Sequence, residues 1–238
     1  MNSLFVDLLM KEISSLESAL GVVFLNKDLL HTALTHRSYV NENPDWRLPH
    51  NERLEFLGDA VLELVVTRYL YLNFENPEGD LTSYRAALVN SQMLSAVSSE
   101  LGVNDFLLLS KGEAKDIGKA RMYILANAFE AITGAIYLDQ GYDVASGFIE
   151  RVILSRMQDV LDKKLYRDAK SFFQEKAQEI EGVTPTYKVT REWGPDHDKH
   201  FIVGVYLGEE LIAEGEGSSK QIAQQSAAEN GLDSKGWE

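Results

Sequence analysis

The sequence predicts two domains, an all-helical domain followed by a small α+β domain. Up to position 162, apolar residues recur at the three- and four-residue spacing that is typical of helices. In the last third of the chain, short segments rich in Phe, Ile, Val and Tyr indicate strands. A polar segment at 163–167 separates the two patterns and is predicted to be a linker. The domains are therefore expected to span 1–162 and 168–238.

The first helix is predicted over residues 3–19, where leucine and isoleucine residues follow one another at helical spacing. A second helix is expected to begin at Asn26, a good N-cap residue, and to end near Thr35. The segment VNENPDWRLPH contains several helix breakers and is predicted to be a loop. Glycines are expected to end helices at three positions, Gly21, Gly102 and Gly141.

The next helices lie around the middle of the chain. Asn51 is placed to cap ERLEFLGDAVLELVVTRYLYLNF, a helix that is apolar on most sides and is therefore expected in the core. Asp80 is placed to cap the following helix, which is expected to run to about Leu101. A loop that contains glycine and lysine (110–119) precedes two further predicted helices, 123–138 and 142–161.

The second domain is predicted to have the element order α-β-β-β-α. SFFQEKAQEI is expected to form its first helix, and three segments have strand character: PTYKVTREW, KHFIVGVYLG and ELIAEGEG. The last helix is expected to begin at Ser218 or Ser219, to reach about Asn230 and to end at Gly231.

Composition and charge restrict the possible functions. Hydrophobic residues make up 45% and charged residues 25% of the chain, as in soluble globular proteins. The longest apolar run is interrupted by Glu63, so no membrane partner is expected. The chain has no cysteine, which excludes disulfides, thiolate zinc sites and cysteine nucleophiles and suits a reducing cytoplasm. The net charge of −14 argues against a nucleic-acid-binding surface, so such a function must depend on local features.

Acidic residues at helical spacing indicate a possible metal site. Glu52, Glu55 and Asp59 lie at positions i, i+3 and i+7 of the predicted long helix, and Asn127 and Glu130 lie three apart on another helix. If these helices pack together, their oxygen atoms would form a site for a hard cation such as Mg²⁺ or Mn²⁺. A solvated acidic face is the alternative. The spacing by itself leaves both possibilities open.

The segment NERLEFLGDAVLELVVTRYLY resembles the signature of the ribonuclease III family, in its bacterial form. Four further segments of the helical region are similar to that family in the same order: ALTHRSY, EGDLTSYRAALVN, LSKGE and ILANAFEAITGAIYLDQGY. The last third resembles a double-stranded-RNA-binding domain in DAKSFFQE, GPDHDKHF and EGEGSSKQIAQQSAA. The resemblance covers nearly the whole chain. It implies a helical endonuclease domain followed by an RNA-binding domain.

The resemblance also implies an activity, which is hydrolysis of double-stranded RNA to 5′-phosphate and 3′-hydroxyl ends with short 3′ overhangs. It implies a homodimer formed through the helical domain, a cytoplasmic location, and processing of ribosomal, messenger and other structured RNA precursors. Mg²⁺ is the expected metal, with Mn²⁺ as a substitute, and no nucleotide cofactor is expected. Asp59 and Glu130 are implied as catalytic residues. The implied metal ligands are Glu55, Asp59, Asn127 and Glu130, supported by Glu52, Glu78 and Glu113.

Asn127 departs from the family pattern, which usually has Asp at this position. An amide keeps an oxygen acceptor but loses the negative charge, so metal affinity is expected to fall. Three explanations stay open: a natural variant that still cleaves, a deliberate isosteric change, or a protein that binds RNA and cleaves little. The leading alternative function is therefore a catalytically weakened double-stranded-RNA-binding protein on the same fold.

The resemblance implies RNA contacts in the second domain. Gln174 and Glu175 would face one minor groove and His197 the next, whereas Lys220 would reach phosphates across the major groove with help from its helix dipole. Lys199 is a further candidate for a phosphate contact. For His197 the alternative is an ordinary polar side chain of a loop, and for Lys199 it is a solvated charge. The acidic net charge predicts weak, salt-dependent binding by this domain alone.

Overall fold

The computed structural model describes residues 13–115, 118–166, 168–195 and 199–237. The chain divides after Tyr166 into two compact units, each with its own apolar core. The first is helical, and the second combines helices with a sheet. The predicted fold classes are therefore confirmed. No helix among the described residues is long and apolar enough to cross a membrane.

The helical unit begins with short elements. Residues 13–20 are helical (α1), and the remainder of the first predicted helix lies outside the described residues. Helix α2 (Lys27–Ala33) starts as predicted, because the Asn26 side chain accepts a hydrogen bond from the backbone N–H of Asp28. Helix α3 (Arg37–Glu42) was not predicted and extends into the expected loop. The His36 side chain caps its first turn.

Two long helices, α4 (Glu52–Asn73) and α7 (Lys119–Gln140), form the centre of this unit. Both are largely buried along their facing sides. Asn51 occupies the N-cap position of α4 as predicted, but its side chain makes no capping hydrogen bond and its amide donates to the backbone oxygen of Ala33. Only part of α4 is buried, since another side leaves Phe56 and Tyr71 exposed.

The helix predicted from Asp80 to Leu101 is two helices, α5 (Glu78–Val89) and α6 (Ser91–Glu100). The chain is extended at Asn90, whose side chain accepts from the N–H of Met93 and so caps α6. Asp80 lies inside the first turn of α5 and not at its cap. A short 3₁₀ turn, Val103–Phe106, follows.

The last predicted helix of this unit is also interrupted. Helix α8 (Tyr142–Val152) is followed by a 3₁₀ turn and by α9 (Met157–Asp162). Helix α7 begins four residues earlier than expected. The predicted glycine stops are confirmed, because Gly21, Gly102 and Gly141 have φ angles of 62°, 72° and 84°.

The second unit has the predicted element order. Helix α10 (Ala169–Glu181) precedes strands β1 (Thr186–Trp193), β2 (His200–Leu207) and β3 (Glu210–Gly217), and α11 (Lys220–Lys235) follows. The strands form an antiparallel sheet in the order β1-β2-β3. Helix α11 packs on β2 and β3, and α10 packs against α11.

The predicted stop at Gly231 is wrong, because α11 continues to Lys235 and ends at Gly236. Gly231 is buried, and a Cβ atom there would lie 2.8 Å from Cε2 of Phe173. The glycine therefore serves close packing between α11 and α10 and not helix termination.

Candidate active site

Two glycines bring the helices with the candidate acidic residues into backbone contact. A Cβ atom on Gly58 of α4 would lie 1.7 Å from the backbone oxygen of Glu130, and one on Gly134 of α7 would lie 2.3 Å from that of Leu54. These separations exclude any side chain, so α4 and α7 approach as closely as their backbones allow. Side chains next to the crossing on the two helices are therefore brought within reach of one another.

Glu55, Asp59, Asn127 and Glu130 all lie at this crossing. Burial raises the pKa of Glu55, and the negative charges of Glu52 and Asp59 contribute to the rise. The Asn127 side chain forms a hydrogen bond with the Glu55 carboxylate, which acts in the opposite direction. The amide at position 127 therefore stabilises the ionised form of its carboxylate neighbour.

Glu130 is half-buried, whereas Asp59 is exposed. Burial, together with the charges of Asp59, Glu55 and Glu63, raises the pKa of Glu130 to about 7. Glu63 was not singled out from the sequence, although it follows Asp59 by four residues and so occupies the same side of the helix. The site is a concentration of negative charge around a partly desolvated carboxylate.

The donor set fits a hard divalent cation. Three carboxylates and an amide offer the oxygen ligands that Mg²⁺ and Mn²⁺ prefer. Partly buried carboxylates repel one another, and a cation among them would offset the repulsion that contributes to their raised pKa values. Within the described part of the chain, no three acidic or histidine side chains are already arranged to hold a metal ion.

One supporting residue, Glu52, lies beside this site, and Glu113 lies near the same histidine as Glu52. Glu52 pairs with Arg37 at 3.5 Å and lies 3.8 Å from Nδ1 of His50. Burial lowers the pKa of His36, and the nearby negative charges of Glu113 and Glu52 partly offset this effect. Glu113 and Glu52 therefore both lie near His36, and the charge of Glu52 also acts on Glu55.

Glu78 is placed elsewhere. It begins α5 and lines a groove of about 240 Å³ together with Tyr71 and Arg85, at the opposite end of α4 from Glu55. Glu78 does not appear among the charges that act on Glu55 or Glu130. Within one chain, the fold does not bring it to the carboxylate site.

The candidate RNA contacts of the second unit occupy its surface. Gln174 and Glu175 are exposed on α10, and Lys220 begins α11 with its amino group 5.7 Å from the centre of the Phe201 ring. Lys199 lies 3.6 Å from Glu192. His197 lies outside the described residues. The side chain of Ser219 caps α11 by accepting from the N–H of Ile222.

Comparison with family models gives two matches. A Ribonuclease-III-like model matches residues 26–157, and a model of the double-stranded RNA binding motif matches residues 169–235. The first match includes both helices of the carboxylate site. The second includes the helices and strands of the α+β unit.

The chain is also similar to individual proteins. Ribonuclease 3 of Enterococcus faecalis is 45% identical over 222 residues, which are 93% of this chain and 96% of that protein. Ribonuclease 3 of Bdellovibrio bacteriovorus is 44% identical over 223 residues, 93% of this chain and 95% of that protein. The solved nuclease domain of ribonuclease III from Campylobacter jejuni is 44% identical, with a TM-score of 0.55. The match covers 60% of this chain and 96% of that domain, which was described for flexibility in a region involved in dimer formation.

Proposed function

The chain belongs to the ribonuclease III family and is an endoribonuclease of double-stranded RNA, and we propose that it cleaves at the carboxylate site between α4 and α7. The observation that carries this proposal is the backbone contact at Gly58 and Gly134, which gathers acidic side chains from two helices. The family depends on divalent metal ions. We propose Mg²⁺ for this chain, with Mn²⁺ as a substitute.

Glu55, Asp59, Asn127 and Glu130 would hold the metal. When bound, a divalent cation lowers the pKa of water and offsets charge that develops on the phosphate. Asp59 is exposed and can meet the RNA backbone directly, whereas the partly buried Glu130 anchors the inner side of the site. Attack of water on phosphorus with departure of the 3′ oxygen gives 5′-phosphate and 3′-hydroxyl ends. We propose that cuts on both strands leave short 3′ overhangs.

Asn127 is proposed as a neutral ligand. Its hydrogen bond to Glu55 favours the ionised carboxylate, so the amide supports the site even without a charge of its own. Compared with an Asp at this position, Asn127 leaves the site with one negative charge fewer to attract the metal. We therefore propose that cleavage proceeds at a higher metal concentration than a site with Asp at this position would need.

We propose that two chains associate through an exposed stripe on α4. Phe56, Ala60, Leu64, Thr67 and Tyr71 follow one another at spacings of three and four residues, which places them on one side of the helix. Phe56 is 82% and Tyr71 77% exposed in the single chain. Apart from Thr67 the stripe is apolar, and an exposed apolar side of a core helix is typical of an interface with a partner, here a second copy.

We further propose that the two domains have separate functions. Residues 1–162 would form the endonuclease, 163–167 the linker, and 168–238 the RNA-binding domain. Contacts to duplex RNA would come from Gln174, Glu175, His197, Lys199 and Lys220, which would recognise A-form shape without reading sequence. The proposed substrates are ribosomal, messenger and other structured RNA precursors, in the cytoplasm.

The proposal is tested by cleavage of a long RNA duplex over a titration of Mg²⁺ and Mn²⁺. Glu130→Ala should lower the cleavage rate by at least roughly 10²-fold, because it removes a charged group from the reacting site. RNA binding should be preserved. Glu150→Ala, at an exposed carboxylate of α8, is the matched control. Normal cleavage by Glu130→Ala would exclude this site, and failure of the unaltered chain to cleave under any condition would favour the RNA-binding alternative.

A further inference from the structure

The connection between α2 and α3 holds the start of α4. The backbone N–H of Asn51 donates to the oxygen of Thr35 at 2.9 Å, and its side-chain amide donates to the oxygen of Ala33 at 3.2 Å. Asn51 and Thr35 are both buried, so these bonds are shielded from water. They fix the first turn of α4, where Glu55 lies, relative to this connection.

The same connection also holds the stretch that leads to Glu113. Thr35 and Leu108 form a parallel β-bridge. The N–H of Leu108 donates to the oxygen of Leu34 at 2.9 Å, and the N–H of His36 donates to the oxygen of Leu108 at 3.0 Å. The segment 33–36 is therefore bonded both to Asn51, at the start of α4, and to Leu108, in the stretch that leads to Glu113.

Ser38 extends this connection through its side chain. The Ser38 hydroxyl lies 2.8 Å from Nδ1 of His36, and it accepts a hydrogen bond from the N–H of Ser110 at 3.0 Å. Nδ1 of His36 also accepts from the N–H of Ser38, so it carries no proton and the hydroxyl donates to it. Oγ of Ser110 in turn accepts from the N–H of Glu113 at 3.2 Å.

The turn that carries Glu113 is held mainly by hydrogen bonds. Its neighbours are exposed, namely Lys111, Gly112, Ala114 and Lys115. Besides the bonds through Ser38 and Ser110, the N–H of Lys111 donates to Glu42, and Arg121 donates to the backbone oxygens of the turn. The turn also has two internal backbone bonds, from Ala114 to Ser110 and from Lys115 to Gly112. Hydrogen bonds therefore hold the backbone of the turn from which the Glu113 side chain extends.

We propose that Ser38 is a positioning residue of the nuclease reaction, which places Glu113 relative to Glu52 and the carboxylate site by joining His36 to the turn at Ser110. The inference rests on the proposed function and deepens it. Ser38 touches neither RNA nor the reacting phosphate in this role. It acts through Glu113, in the way that hydrogen-bonding partners orient the groups around a metal.

The test compares Ser38→Ala, which removes the hydroxyl, with Ser38→Thr, which keeps it. Ser155→Ala is the matched control, because it removes an exposed hydroxyl of the same unit that, among the described residues, bonds to the backbone oxygen of Arg151. Three properties are measured for each variant: kcat and KM for an RNA duplex, the Mg²⁺ concentration that gives half-maximal thermal stabilisation, and hydrogen exchange of the Ser110 and Glu113 amides.

Ser38→Ala should lower kcat by about tenfold or more with little change in KM for RNA, as loss of a group that orients site residues does. The half-maximal Mg²⁺ concentration should rise, and both amides should exchange faster. Ser38→Thr should restore all three values, and Ser155→Ala should change none. If Ser38→Ala does not fold, Ser110→Ala interrupts the same chain of bonds and is expected to give the same pattern.

Unchanged kcat in Ser38→Ala, or equal loss in Ser38→Ala and Ser38→Thr, would overturn the positioning role. The proposed function fails separately, through absence of cleavage by the unaltered protein or normal cleavage by Glu130→Ala. In that event Mg²⁺ stabilisation and amide exchange still decide the role of Ser38. Values equal to those of the unaltered protein would refute the placement of Glu113 by Ser38. Shifted values that Ser38→Thr restores would support that placement.

Discussion

Gly58 of α4 and Gly134 of α7 face each other so closely that neither position has room for a Cβ atom. Glu55 and Asp59 lie close to Gly58 along α4, and Glu130 is one turn before Gly134. The same contact that packs the two central helices therefore assembles the carboxylate site. Packing and chemistry depend on one feature of the core.

Gly58→Ala should destabilise the protein and abolish cleavage. The added carbon would meet backbone atoms, which cannot move aside as a flexible side chain can. We expect a loss at or above the upper end of the roughly 1–3 kcal/mol that overpacked cores usually cost. Urea unfolding measures it. Gly147→Ala on α8 is the control, because a Cβ atom there meets nothing within 4 Å. Equal stability of the two variants would contradict the close approach.

Glu130→Gln should make the metal-free protein more stable at high pH. The pKa of Glu130 is raised to about 7 in the folded state, so between pH 4.5 and pH 7 the folded state holds a proton that the unfolded state has lost. Stability of the unaltered protein therefore falls as pH rises through this range, and the neutral glutamine avoids the loss. At pH 8 we expect a Tm higher by at least roughly 2–4 °C.

The measurement for Glu130→Gln is thermal unfolding in chelator at pH 5 and at pH 8, with the unaltered protein beside it. The variant and the unaltered protein share every other titrating group, so their difference reports Glu130 together with its interactions with Asp59, Glu55 and Glu63. Adding Mg²⁺ should stabilise the unaltered protein more than the variant. Parallel pH curves for the two proteins would show that Glu130 is not partly desolvated.

Asn127→Asp should have opposite effects without and with metal. Without metal, the change adds a negative charge beside Glu55 and removes the amide that lowers the pKa of that carboxylate. The metal-free protein should therefore unfold at a lower temperature. With metal, the added charge should lower the Mg²⁺ concentration needed for half-maximal cleavage. Asn104→Asp, at an exposed position, is the control. An unchanged Mg²⁺ requirement would argue against Asn127 as a ligand.

Phe56→Asp should produce a monomer that light scattering detects. Phe56 lies on the exposed apolar stripe of α4, and a buried unpaired carboxylate there would oppose association. Leu72→Asp provides the comparison, because Leu72 is also exposed on α4 but lies outside the stripe. A dimer that survives Phe56→Asp and dissociates with Leu72→Asp would place the interface elsewhere.

A chain that ends at Tyr166 should keep its association state and lose most of its affinity for RNA. The two units have separate apolar cores, so removal of the second leaves the first intact. Loss of one of two linked binding modules should weaken RNA binding by about 10²-fold. Gel-shift titration and light scattering test the two parts. If the shortened chain were monomeric, the dimer would depend on the second unit.

Local sequence patterns predicted many of the elements and erred where a long-range contact outweighs a local preference. Asn51 stands at the predicted N-cap position, but its side chain bonds to the oxygen of Ala33, which is buried and needs a partner, and not to the first turn of α4. Gly231 has the chemistry of a helix stop, but it is needed for close packing against Phe173. The break at Asn90 was missed because the apolar pattern continues across it.

The sequence by itself determined the element order of the second unit, the helical positions of Glu55, Asp59, Asn127 and Glu130, and the family. These follow from side-chain periodicity and from ordered motifs, which are properties of neighbouring residues. Only the tertiary structure decided which acidic residues meet. It joined Glu63 to the charges around Glu130, left Glu78 at the far end of α4, and linked Ser38 to the Glu113 turn. The physical reason is that helix crossings and hydrogen bonds between distant segments depend on the packing of the whole core.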